Sequence, residues 1–243
     1  MKRIAGVILA ASSLMASSVW AVSPYPELKI KAERSFDFGE WASASAMFDL
    51  MLEEQPAVPQ TYGQAIVANA MCGSSERTME LMTRALDNHI PFDTVFTNVR
   101  QWSYHIGKPV LFENFLKRNR EVHPWMRRTV NAYLLKYYAF RRNGAAMVEY
   151  AELMLDGAPN NLEFLSIQAD GYMLTGDFTT ALSIYEKILT IDPNNYQTLL
   201  MLGNWYTLNQ ANYPSHRRAA AEYLSRAYAI NPTPYVKKLL SEL

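Results

Sequence analysis

Apolar residues recur along this chain at helical spacing, and polar breaks interrupt them at a steady interval. The clearest stretch runs from residue 162 to 193. Leu165, Ala169 and Tyr172 fall on one face at spacings of four and three, which predicts a helix. Gly176-Asp177 then breaks it. Glycine accepts the left-handed turn that stops a helix, and aspartate caps the next one. Ala181, Ile184, Tyr185 and Ile188 predict a second helix, which Asp192-Pro193 ends. Proline has no N–H to donate and clashes with the preceding turn. No stretch alternates with the period of a strand, so the expected fold is all-α.

The breaks repeat. Gly39, Gly73 and Gly107 lie 34 residues apart, Pro56 and Pro124 each follow a glycine by 17, and Pro159, Pro193 and Pro232 continue at 35, 34 and 39. A fixed period in the thirties means one helical hairpin stacked many times. The unit at residues 162–193 resembles the tetratricopeptide repeat (TPR). Its eight consensus positions hold Leu165, Gln168, Ala169, Tyr172, Ala181, Tyr185, Ile188 and Pro193, and only Gln168 departs. The next unit matches through Leu199, Leu202, Gly203 and Tyr206, then Ala220, Leu224, Ala227 and Pro232, with about five extra residues at 209–216 predicting a longer inter-helix loop. Four weaker units keep register before these, the fourth with an added residue at the Arg142-Asn143-Gly144 turn.

The resemblance implies a right-handed α-solenoid of about six helical hairpins, with repeats starting near 25, 59, 93, 127, 162 and 196 across residues 22–232, and a short capping helix at 233–243. It also implies that the first helices line the concave side and that certain of their positions face a partner. Carried onto this chain, ninth positions include Glu33, Gln101, Asp170 and Asn204, and a fifth position holds Asn131. Twelfth positions include Phe36, Tyr104 and Tyr138, and His105 also sits at a groove position. Amides can bond an extended backbone, and tyrosines offer apolar area with one hydroxyl. Tyr104 and Tyr138 can equally pack against a neighbouring repeat. The carboxylate clamp of some TPR proteins is incomplete here.

The first 21 residues read as a secretory signal peptide: Lys2 and Arg3, an apolar run from Ile4 to Met15, and small residues at Val19 and Ala21. The run is short of the roughly 20 residues that a membrane span needs. An exported, periplasmic or secreted protein is expected, with no span once the signal is removed. Cys72 is the only cysteine, so no internal disulfide can form, and it is expected to pack as a small apolar residue at a helix end.

Charge is segregated. Residues 117–142 carry eight basic residues against Glu121 alone, and residues 143–197 carry eight acids against Lys187 alone. Many of these cations sit near helix ends, where the dipole favours them, and the two blocks can also pair across repeats. Arg127 and Arg128 instead open a helix, where the dipole disfavours cations, and Trp125 lies beside them. That corner is a second candidate contact patch. Nucleic acid is not an expected partner for an exported chain.

Catalytic signatures are missing. The four histidines, His89, His105, His123 and His216, are scattered along the chain, no zinc spacing, nucleophile elbow or phosphate loop occurs, and neither metal nor cofactor is expected. The leading expectation is a non-enzymatic scaffold or adaptor of the bacterial cell envelope that binds a partner protein or peptide in its groove. The alternative is a receptor for a small carbohydrate or peptide. An enzyme built on the 209–216 loop has only His216 to offer.

Overall fold

The computed structural model describes residues 25–212 and 214–243. The expected signal peptide lies outside the described residues. Thirteen α-helices and no strand occur among the described residues, an all-α helical repeat fold.

The helices come in pairs. In the first half these are α1 (Tyr25–Asp37) with α2 (Trp41–Glu54), α3 (Pro59–Met71) with α4 (Ser75–Asp87), α5 (Phe92–His105) with α6 (Val110–Val122), and α7 (Arg127–Arg141) with α8 (Gly144–Leu155). A 3-10 turn at Pro124–Met126 precedes α7. The second half holds α9 (Leu162–Thr175) with α10 (Phe178–Ile191), α11 (Tyr196–Leu208) with α12 (Pro214–Ile230), and a closing α13 (Pro234–Ser241). Each helix packs on its successor in the chain, and α3 also packs on α5.

The glycine breaks do what their residue type allows. Gly39, Gly73, Gly107 and Gly176 adopt φ of 76°, 77°, 67° and 86°, the left-handed region that closes a helix. The turn before α8 departs from expectation: Arg142 itself is left-handed, at φ 52°, and Gly144 lies inside α8. Gly144 and Gly171 let α8 and α9 touch. A Cβ on Gly171 would lie 3.0 Å from the Gly144 carbonyl oxygen, and one on Gly144 only 2.8 Å from Leu174 Cβ. The expected long loop at 209–216 is shorter than its extra residues suggested. Residues 210–212 form a 3-10 turn and α12 extends back to Pro214, so His216 is helical and its Nδ1 lies 3.0 Å from the Asn209 carbonyl oxygen.

Two cores follow one another along the stack. The first, within α1–α8, is rich in aromatics such as Phe48, Tyr62, Phe96 and Phe115. The second, within α9–α13, is mainly leucine, isoleucine and alanine around Tyr185. Cys72 is exposed, contrary to its expected packing, because it falls past the last apolar turn of α3 beside the open Gly73.

Candidate functional site

Two cavities are lined mainly by first helices of the pairs. The larger, of about 560 Å³, lies over α5 and α7. Tyr104, Tyr133, Tyr137 and Phe140 supply aromatic walls, and Arg100, Gln101 and Lys136 supply polar edges. Spacing on α7 explains the grouping: Tyr133, Lys136, Tyr137 and Phe140 are three, four and seven residues on from the first, so they share one side of the helix. Phe140 is 73% exposed, with the Tyr104 ring 6.2 Å away.

Aromatic side chains join α5 to α7 at the inner end of this cleft. Phe96 meets Tyr133 edge-on at 5.2 Å and Phe115 at 5.8 Å. The Tyr133 hydroxyl donates to Asp93 Oδ1 at 2.9 Å, and burial together with that bond pushes the phenol up to about 12. It stays a neutral donor at any physiological pH. Lys136 reaches Glu163 on α9 at 3.5 Å, an exposed ion pair between the basic and acidic blocks that contributes little to stability. Arg100 is exposed and has no ion pair among the described residues, acting on the Tyr133 phenol only through longer-range attraction.

The second cavity, of about 410 Å³, spans α7, α9 and α11. Asp170 and Tyr185 form its floor, Met147, Met173, Met201 and Leu174 its walls, and Arg142, Ser166 and Gln197 part of its rim. The Tyr185 hydroxyl donates to Asp170 Oδ1. Burial raises the Asp170 carboxyl above the ordinary carboxylate range, outweighing that bond and the attraction of Arg142.

The predicted groove residues divide. Gln101 and Tyr104 line the first cavity and Asp170 the second. His105 is exposed at the end of α5, 3.3 Å from Asp37 of α1. Glu33 is partly exposed and pairs with Lys29 at 3.8 Å. Asn204 is partly exposed, its Oδ1 3.5 Å from the Tyr235 hydroxyl of α13.

Three others turn inward and are corrected here. Phe36 is 0% exposed, with its ring edge-on to Phe48, Trp41 and Trp102. Tyr138 is 5% exposed and donates to Glu113 Oε1 at 2.7 Å, an acceptor that Lys117 shares at 2.7 Å. Burial would raise the Glu113 carboxyl, but the bonds from Lys117 and Tyr138 hold it below the usual range. Asn131 is buried too. In each case the position that faces a partner in a regular repeat is used to fill space between helices, because this half of the stack is packed with large aromatics.

The Trp125 corner is separate from both cavities. Trp125 is 66% exposed, touching Phe92 and His123 edge-on at 6.4 and 6.2 Å. Arg128 Nη2 lies 3.5 Å from the Gly157 carbonyl oxygen and covers that glycine, while exposed Arg127 has no ion pair among the described residues. Sequence reasoning missed Arg100, Tyr133, Lys136, Tyr137 and Phe140. The signal was present as a second aromatic stripe on α7.

Among the described residues, no cluster of three or more His, Cys, Asp or Glu is arranged to hold a metal, and no helix is long and apolar enough to cross a membrane. Stacked helix pairs of this kind define an α-solenoid. No family model and no curated protein matches the chain. Solved structures do. It is similar to YrrB, a TPR protein with an unusual peptide-binding site, with TM-score 0.51 and 16% identity over 81% of this chain and 98% of that one. It is also similar to PilW, a widely conserved type IV pilus biogenesis factor, with TM-score 0.50 and 15% identity over 90% of this chain and all (100%) of that one. Identities at this level speak for the fold, and the chain has the TPR fold.

Proposed function

We propose that this protein is a non-enzymatic, exported scaffold of the bacterial cell envelope, holding a segment of a partner protein across its first-helix face. One observation carries the reading: the cleft over α5 and α7 pairs an exposed aromatic wall at Tyr104 and Phe140 with cationic edges at Arg100 and Lys136. Large aromatic surfaces left bare on a folded domain mark contact sites. Cations around them select an extended segment whose apolar anchor is flanked by acids. The envelope location rests on the sequence of the first 21 residues. Peptide binding by YrrB and pilus biogenesis by PilW are roles of those proteins that lend the reading support.

Capture from an envelope extract tests it, with tagged protein as bait and mass spectrometry as readout. Three baits are compared: the parent, the cleft variant Tyr104→Ala/Phe140→Ala, and the corner variant Arg127→Glu/Arg128→Glu, each checked for normal helicity. One protein is expected on the parent and the corner variant and lost from the cleft variant. Loss from the corner variant alone would move the contact to Trp125. No specific protein on any bait would sink the scaffold in favour of a small-ligand receptor.

A further inference from the structure

The second cavity contains a carboxylate with an unused oxygen. Asp170 accepts from Tyr185 through Oδ1, and Oδ2 has neither a hydrogen bond nor an ion pair among the described residues. Arg142 at the rim acts on it only at longer range. Holding Tyr185 needs an acceptor alone, which an asparagine would supply without a charge. A half-buried carboxylate with no cation in contact destabilises the fold it sits in, and a cation entering the site recovers that cost.

The surroundings fit a cation at the end of an apolar stem. Met147, Met173 and Met201 wall the approach with thioethers, which adapt to methylene chains. The side chains of Ser166 and Gln197 also line the cavity and have no hydrogen bond among the described residues, so they are free to meet a peptide backbone. Residues 143–197 add a negative field, with eight acids against Lys187 alone.

The geometry points to a subsite for one lysine or arginine side chain of a partner polypeptide, its charged end on Asp170 Oδ2 and its stem between Met173 and Met201. This rests on the proposal that a partner segment runs along the first-helix face. The same segment would then present acidic and aromatic groups to the α5/α7 cleft and a cation to the α9 pocket.

Methionine methyl groups supply the readout. Protein labelled with methyl-13C methionine is titrated with N-acetyl-lysine N-methylamide and, separately, N-acetyl-norleucine N-methylamide, which keeps the stem and lacks the charge. The Met147, Met173 and Met201 signals are expected to move, with lysine binding about tenfold more tightly than norleucine, as a charge-assisted hydrogen bond allows. Asp170→Asn preserves the acceptor for Tyr185 and is expected to bring the two probes level. Equal binding of both probes to the parent protein, or no movement of these methyls, overturns the subsite without any variant having to fold. Putrescine binding more tightly than the capped lysine would assign the site to a free polyamine and overturn the polypeptide source. A failed titration beside retained, cleft-dependent capture rejects the subsite and leaves the scaffold standing. A successful titration without capture leaves a cation site at Asp170 but overturns its polypeptide source together with the scaffold.

Discussion

The two halves of the stack reach the same architecture by different means. Helices α2–α7 start without a side-chain cap, and α1–α8 are held together by an aromatic core. Helices α8, α9, α10, α11 and α13 each have a capping side chain: Asn143, Asn161, Asp177, Asn195 and Thr233. The core of α9–α13 is mainly aliphatic, and glycines set close contacts, Gly171 against α8 and Gly203 against Leu224. The difference reaches the surface. Bulky rings between α5 and α7 leave an aromatic cleft with cationic edges, whereas the α9 region has a methionine-walled pocket with an acid at its base. One repeat geometry thus carries two opposite chemistries, written by side chains that the repeat pattern leaves free.

The sharpest way to break this comparison is to empty the aromatic joint. Phe96 is fully buried where α5, α6 and α7 meet, so Phe96→Ala should cost about 3–5 kcal/mol. Thermal unfolding followed by circular dichroism should show a fall on the order of 10 °C. In the glycine-jointed half the sensitive change is the opposite one. Gly171→Leu has no space at the α8/α9 contact and should cost about 1–3 kcal/mol by overpacking.

Caps give a smaller contrast. Asn161→Ala removes the acceptor for the Phe164 amide and should cost about 1 kcal/mol. Ser74→Ala, at a helix start with no side-chain cap bond, should change stability by no more than about 0.5 kcal/mol. Urea titration of the two variants checks the difference. A cost at Ser74 equal to that at Asn161 would dissolve the distinction between the halves.

The two carboxylates should respond oppositely to pH. Glu113 is held below its usual range, so its contribution is present above the unfolded-state value and fades as pH falls through the folded one. Glu113→Gln should therefore destabilise at pH 7, and its deficit should shrink in acid. Asp170 is raised, so its ionised form burdens the fold at neutral pH and protonation relieves it. Asp170→Asn should stabilise at pH 7 and converge with the parent in acid. Melting curves across the acid range read both signs.

The same asymmetry explains what the sequence could disclose. The all-α repeat fold was legible because Gly39, Gly73 and Gly107 each end a helix in the left-handed conformation their spacing implied. The resemblance was strongest at residues 162–193, where Asp177 caps α10 and Gly176 ends α9 as the repeat pattern asks. Groove positions were less legible. Gln101, Tyr104 and Asp170 do line cavities, but Phe36, Asn131 and Tyr138 point inward. Register alone does not say how far apart neighbouring helices sit, and large rings at other positions change that distance. Gly144 misled for a related reason: it reads as a turn residue, yet it provides room for Gly171 while Arg142 makes the turn.

Site-specific photo-crosslinking in the producing cell tests the central claim most directly, with p-benzoylphenylalanine in place of Phe140 and, in a second strain, of Leu153 on α8. Both positions are exposed, but only Phe140 borders the first-helix cleft. A discrete crosslinked protein from Phe140 and none from Leu153 is the result predicted. The same adduct from Leu153 alone, or from neither position, would contradict a partner held on the first-helix face.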